Sequence, residues 1–152
     1  MFEVFMAQHA PVGALVDHAN RVLWDESAVH PVVKERMRIA LAETIGCSYC
    51  ARFRTDQAGE LVLDGAAELT SEERLKAELA ERYARAVIER GASPPDGLTV
   101  EMQERFPEGE FADLVFSLGW FIGMQHVGRL LHWDDACPVS QIRTLVEAGE
   151  AA

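Results

Sequence analysis

Cys47 and Cys50 stand two residues apart in the stretch Gly46-Cys-Ser-Tyr-Cys-Ala-Arg-Phe-Arg54, directly after a helix-stopping glycine and at the expected start of a new helix. The thiolate is the nucleophile in thiol chemistry, so a reactive pair needs a lowered thiol pKa. Unpaired amides in a first helical turn and the positive helix end favour the charged sulfur. Arg54, one turn beyond Cys50, adds a fixed positive charge on the same face. Each sulfur can reach the other, so one attacks an oxidant or a disulfide and the second resolves the product. Two other uses stay open at this point. Buried cysteines also serve as small hydrophobes. A zinc site would need two further ligands, with His126 and His132 as candidates only through distant folding.

The rest of the chain bounds that chemistry. Its 152 residues suit one domain over 1–152, long enough to bury a core without staples. Nearly half the residues (49%) are hydrophobic, which favours a folded globule. A formal net charge of -11 argues against a nucleic-acid-binding surface, which needs clustered Lys and Arg, and against an anionic membrane face. The first ten residues carry no basic region followed by an apolar run, so no secretory signal is expected. The longest apolar stretch, 114–131, is broken by Gln125, His126 and Arg129, which argues against a bilayer span. The expectation is a cytoplasmic protein. Thiols there are kept reduced, so an isolated Cys-x-x-Cys reads as redox-active or metal-binding sooner than as a structural bridge. Cys137, before Pro138, has no sequence partner and reads as passive.

Helices must position the dithiol. Val12, Leu15, Val16, Ala19, Val22 and Leu23 recur at helical spacing over 10–24, with Pro11 in the first turn. After a loop over 25–30, in which His30 caps or faces water, Pro31 opens a helix. Val33, Met37, Ala40, Leu41 and Thr44 form its apolar face, with Lys34, Glu35, Arg38 and Glu43 elsewhere on the wheel. Gly46 ends it as a C′ residue, and a helix over 47–58 follows, stopped by Gly59. The segment 61–67 is short and apolar, either helical or a turn-bounded connector. Thr70 and Glu73 form a capping box for a helix reaching Arg90, with an apolar stripe of Leu75, Leu79, Tyr83, Ala86 and Val87. Glu72/Lys76, Glu78/Arg82 and Glu81/Arg85 read as i,i+4 pairs on a solvated face. A loop over 91–97 precedes short helix 98–106, stopped by Pro107. The helix over 110–133, apolar all round and carrying Gly119, Gly123 and Gly128, is expected as a central helix or an oligomer contact. A last short helix falls at 140–148. No period-two alternation appears, so the class is all-α.

Glu35, the Cys47-Ser-Tyr-Cys50 segment with the run Met37-Arg-Ile-Ala-Leu-Ala-Glu-Thr-Ile-Gly46 before it, and the later Trp120-Phe-Ile-Gly-Met-Gln-His-Val-Gly-Arg129 resemble the carboxymuconolactone decarboxylase superfamily. Within it the similarity is to the alkylhydroperoxidase D (AhpD-like) branch, and it covers 31–133. The resemblance implies an oligomeric AhpD-like helical bundle whose dithiol reduces peroxides or exchanges disulfides. It also implies roles: Cys50 as the peroxide-attacking cysteine, Cys47 as the resolving one, and Glu35 as the acidic member of a proton relay. The chain departs from the pattern at the relay histidine, whose place four residues after the second cysteine is held by Arg54. Arg stays protonated and cannot act as a base. Tyr49 stands where some members have another histidine, and it either lines the site or packs.

On one straight helix Glu35 would lie about 18 Å from Cys47. A chain reversal near Gly46 would instead bring Glu35 opposite the segment of Arg54, as an ion pair that tunes the cysteines or fixes two helices. The expected activity is thiol-dependent oxidoreduction by Cys50 and Cys47, with Glu35 and Arg54 beside them. Its expected partners are a peroxide or disulfide substrate, a dithiol reductant of unknown identity and further copies of the chain. No cofactor or metal is required. The alternatives are a decarboxylase or isomerase-like enzyme of the same superfamily acting on a small organic acid, and a non-enzymatic redox sensor.

Overall fold

The structure is a computed structural model that describes residues 8–52, 69–91 and 93–131. Every regular element among the described residues is helical, as expected. Helix α1 (Ala10–Asn20) runs into a π-turn at Arg21–Asp25. It is followed by α2 (Pro31–Ile45), α3 (Ser48–Arg52), α4 (Ser71–Glu89), α5 (Asp96–Arg105) and α6 (Glu108–Leu130). Arg54, His132, Cys137, the segment 61–67, the end of the helix expected over 47–58 and the helix expected at 140–148 lie outside the described residues.

Local chemistry sets the helix ends. Pro31 stands in the first turn of α2, and His30 caps it, its Nδ1 accepting from the Val32 amide at 3.3 Å. Gly46, with φ 82°, supplies the left-handed residue that stops α2, and the amides of Gly46 and Cys47 both donate to the Ala42 carbonyl at 2.9 Å. At α4 the capping box forms as read from sequence: the Glu73 amide donates to Thr70 Oγ1 at 3.2 Å, and the Thr70 amide donates to the Glu73 carboxylate at 2.7 Å. The Thr70 hydroxyl and amide together hold the Glu73 carboxyl below its ordinary pKa.

Helix α2 is the centre of the molecule. Val33, Met37, Ala40 and Leu41 are buried as expected, and full burial of a side chain like Leu41 is worth about 2 kcal/mol. Its most extensive contact is with α4, whose Ala77, Ala80 and Ala84 have no exposed surface and let the two backbones lie close. Trp24 of the π-turn packs against Phe121 of α6, ring centroids 5.7 Å apart. Cross-links show the directions. Arg36 pairs with Glu81, and Glu43 further along α2 pairs with Arg85, so α2 and α4 run parallel. Arg82–Glu101 and Arg105–Glu72 make α4 and α5 antiparallel.

Two expectations are corrected here. The charges assigned to i,i+4 pairs on a solvated face of α4 reach neighbouring helices instead: Glu72 to Arg105, Lys76 to Glu110, Glu81 to Arg36, Arg82 to Glu101 and Arg85 to Glu43. Long side chains at helix flanks find partners across the groove as readily as along their own helix. Off the apolar face of α2, Lys34, Glu35 and Arg38 are also buried, because α2 is wrapped on more than one side. Secondly, of the two roles expected for α6, central helix or oligomer contact, the central one falls to α2 among the described residues. Helix α6 buries Leu114, Ser117, Leu118, Phe121, Gln125 and Gly128 and leaves Val115, Phe116 and Leu130 exposed. Part of the apolar pattern on α1 and α4 also faces outward, at Val12, Leu15, Val22 and Leu75.

Lys34 is compensated by a built network. Its Nζ donates to the Leu23 carbonyl of the π-turn at 2.6 Å and to Asp113 Oδ1 of α6 at 2.5 Å. The hydroxyls of Ser27 and Ser117 also donate to Asp113, at 2.7 and 3.2 Å. Burial pushes the Lys34 pKa down, and Asp113 opposes that shift.

Candidate functional site

The reversal at Gly46 turns the chain back on itself, so that α3 lies against α2. Cys47 immediately precedes α3 and its carbonyl accepts from the Ala51 amide at 3.0 Å, which places Cys50 in the first turn. The two cysteines are joined as a disulfide with Cα atoms 5.3 Å apart, inside the range a disulfide spans. Cys47 is 1% exposed, whereas Cys50 and Tyr49 are half-buried. Cys50 is therefore the more accessible residue of the pair. The Cys50 amide donates to Cys47 Sγ at 3.3 Å, so the backbone help expected from the turn goes to the buried sulfur.

Glu35 comes to the dithiol through Arg38. The Arg38 guanidinium grips Glu35 with two parallel hydrogen bonds, Nε to Oε2 at 2.9 Å and Nη2 to Oε1 at 2.8 Å. Its remaining terminal nitrogen, Nη1, donates to the Cys50 carbonyl at 2.6 Å. Glu35 has no exposed surface and Arg38 is 7% exposed, so this is a desolvated ion pair. The Gln125 side chain of α6 donates to the Arg38 backbone carbonyl at 3.2 Å. Gln125 is itself buried, and its Oε1 has no hydrogen-bond partner among the described residues. Below it, Arg129 reaches the Ile45 carbonyl at 3.1 Å, next to the Gly46 turn.

Of the residues singled out from sequence, the structure brings Cys47, Cys50, Tyr49 and Glu35 into one region, and Arg54 falls outside the described residues. Arg38 and Gln125 are the additions. Arg38 carried a sequence signal, since it lies three residues after Glu35 and so on the same helical face. Gln125 carried a weaker one, as an amide inside an otherwise apolar helix. His126 is exposed and hydrogen-bonds the Ile122 carbonyl of its own helix at 2.8 Å. No cluster of three or more His, Cys, Asp or Glu with metal-ligand geometry occurs among the described residues. Nor is any described helix long and apolar enough to cross a membrane.

Comparison with protein-family models, curated proteins and solved structures finds no match for this chain. The resemblance to the alkylhydroperoxidase D branch thus stands on the residues that carry it.

Proposed function

We propose that this chain is a thiol-dependent oxidoreductase of the alkylhydroperoxidase D type, acting through Cys50 and Cys47. The observation that carries the reading is the asymmetry of the pair: a half-buried Cys50 in bonding reach of a buried Cys47, on a short helix held over a buried ion pair. An attacking sulfur must meet its substrate, while a resolving sulfur need only meet the first.

With a peroxide, the Cys50 thiolate attacks one peroxide oxygen. An S–O bond forms as the O–O bond breaks, and the alcohol leaves after taking a proton. The Cys47 thiolate then attacks the Cys50 sulfenic acid, forming the disulfide and releasing water once a proton reaches the departing hydroxide. An external dithiol donor restores both thiols by exchange and leaves as its own disulfide. With a disulfide substrate, the same two sulfurs act by exchange alone. Neither route needs a bound cofactor, and both suit a reducing cytoplasm that supplies the dithiol. The exposed apolar face of α6 supports a homo-oligomer as the working form.

The test is thiol loss in the reduced protein on adding hydrogen peroxide or an organic hydroperoxide, compared with Cys47→Ser and Cys50→Ser. Rapid oxidation that requires Cys50 and closes onto Cys47 is expected. Oxidation no faster than that of a free thiol would remove peroxide as substrate. Turnover that survives Cys50→Ser would overturn the thiol reading in favour of a non-thiol enzyme.

A further inference from the structure

We infer that Arg38, anchored by Glu35, is the positioning residue of the dithiol: it holds the Cys50 segment on α2 and supplies the positive charge that favours the Cys50 thiolate. The inference rests on the thiol reading above and assigns to Arg38 a role that sequence spacing had suggested for Arg54.

Three observations carry it. The first is direct, because the guanidinium donates to the carbonyl of the more accessible cysteine, at 2.6 Å. The second is orientation. Glu35 occupies the Nε and Nη2 edge of the guanidinium, so Nη1 is the edge turned to the Cys50 backbone, and the positive end of the pair lies at the residue that carries the thiol. The third is that the arrangement is a poor device for stability alone. Buried ion pairs are often matched or bettered by apolar residues of the same volume, and neither Glu35 nor Arg38 needs Cys50 to be paired. A fixed cation beside a cysteine does, however, shift it toward thiolate. The Cys50 amide donates to Cys47 Sγ, so that backbone bond favours charge on Cys47 and not on Cys50.

Among the described residues, charged and titratable groups come toward the Cys50 segment from three elements. On α2 they are Arg38 and Glu35; on α3, Cys47, Tyr49 and Arg52; from α6, Arg129 reaches the Ile45 carbonyl at the head of the turn. Arg54 lies outside the described residues.

The experiment is the pH dependence of Cys50 alkylation by iodoacetamide in the reduced full chain, read by peptide mass spectrometry so that Cys47 and Cys137 are followed separately. In the wild type, the inflection for Cys50 is expected below that of the same protein unfolded in urea. An inflection at or above the unfolded value overturns the inference without any variant. Arg38→Gln is expected to raise the inflection by about one pH unit, a roughly tenfold loss of thiolate at pH values below it. Arg38→Lys should recover part of that loss. An inflection unmoved by Arg38→Gln, in a variant with wild-type helical circular dichroism, overturns the assignment, as does a larger shift from Arg54→Gln than from Arg38→Gln. Should Arg38→Gln not fold, the comparison of folded and unfolded wild type decides. Alkylation is scored apart from turnover. A low inflection without turnover keeps Arg38 and removes the proposed function, and turnover with an unshifted inflection does the reverse.

Discussion

Lys34 Nζ lies 2.5 Å from Asp113 Oδ1 with no exposed surface on the lysine side chain, so α2 is pinned to α6 by an ion pair that water does not reach from the lysine side. The same ammonium holds the Leu23 carbonyl, which ties the π-turn to both helices. Replacing the lysine by an apolar residue leaves Asp113 with two hydroxyl donors and no counter-charge. Breaking one side of such a pair costs about 3–5 kcal/mol. Lys34→Met is expected near the lower end, since Ser27 and Ser117 still donate, and urea unfolding measures it. The double variant Lys34→Met, Asp113→Leu should recover most of the loss.

The pair also gives stability a pH signature. Burial lowers the folded pKa of Lys34 below its unfolded value, which is about 10.4. Between those two values the unfolded chain still carries the proton that the folded chain has released. Stability then rises with pH through that window. The sign is opposite to that of a lysine that gains stability from its partner. Unfolding free energies of wild type and Lys34→Met, compared from pH 8 to pH 10.5, should therefore diverge in favour of the wild type as pH rises. A constant difference would show that Lys34 titrates alike in both states.

Much of this architecture is legible in punctuation. Pro31, Gly46, the Thr70/Glu73 box and Pro107 mark helix ends where they are found, because each acts through its own backbone and needs no tertiary partner. The dithiol is legible for the same reason. The burial of Lys34, Glu35 and Arg38 is not, since a hydrophobic wheel assigns polar residues to solvent and only the wrapping of α2 by other helices reverses that. The destinations of the α4 charges are hidden likewise. Glu81 and Arg85 have legitimate spacing for each other, and the proximity of Arg36 and Glu43 is decided by the fold. Ala77, Ala80 and Ala84 carry too little hydrophobic signal to mark the closest helix contact.

Gln125 presents a buried amide with one half used. Its Nε2 bonds the Arg38 carbonyl, while its Oε1 has no partner among the described residues. An unsatisfied buried acceptor costs about 1–3 kcal/mol, against about 1 kcal/mol for the bond that is made. Gln125→Met, which keeps length and flexibility, is expected to be neutral or to stabilise by up to about 1 kcal/mol in urea unfolding. A loss of 2 kcal/mol or more would mean that the amide is fully satisfied in solution.

Gly46 makes the reversal that brings Cys50 to Arg38, and its φ of 82° is the conformation that disfavours a side chain. A Cβ added there meets nothing within 4 Å among the described residues, so the expected cost of Gly46→Ala is backbone strain. About 1–2 kcal/mol is expected. Gly109→Ala, inside the first turn of α6 and equally open, should go the other way by up to about 1 kcal/mol. Thermal melts of the two variants test the contrast, and a neutral Gly46→Ala would mean that the turn adopts another conformation.

Gly119 and Gly123 pose the same question with an answer that depends on assembly. Both are exposed on α6, in line with Val115, Phe116 (63% exposed) and Leu130 (78% exposed), and a Cβ on either meets nothing within 4 Å among the described residues. In an isolated chain, alanine at both positions removes a helix penalty of about 1 kcal/mol each, and the melting temperature rises. In the proposed homo-oligomer, glycines on an apolar face let a second copy approach, and the added methyl groups push it away. Sedimentation velocity and melting temperature, read together, separate the cases. The oligomer reading expects the wild type to sediment as more than one chain, Gly119→Ala with Gly123→Ala to weaken association, and Phe116→Glu to abolish it by placing charge on a face already limited by a net charge of -11 per copy. A monomeric wild type whose double alanine variant simply melts higher would leave the face uncovered by copies of this chain and remove the homo-oligomer from the functional reading.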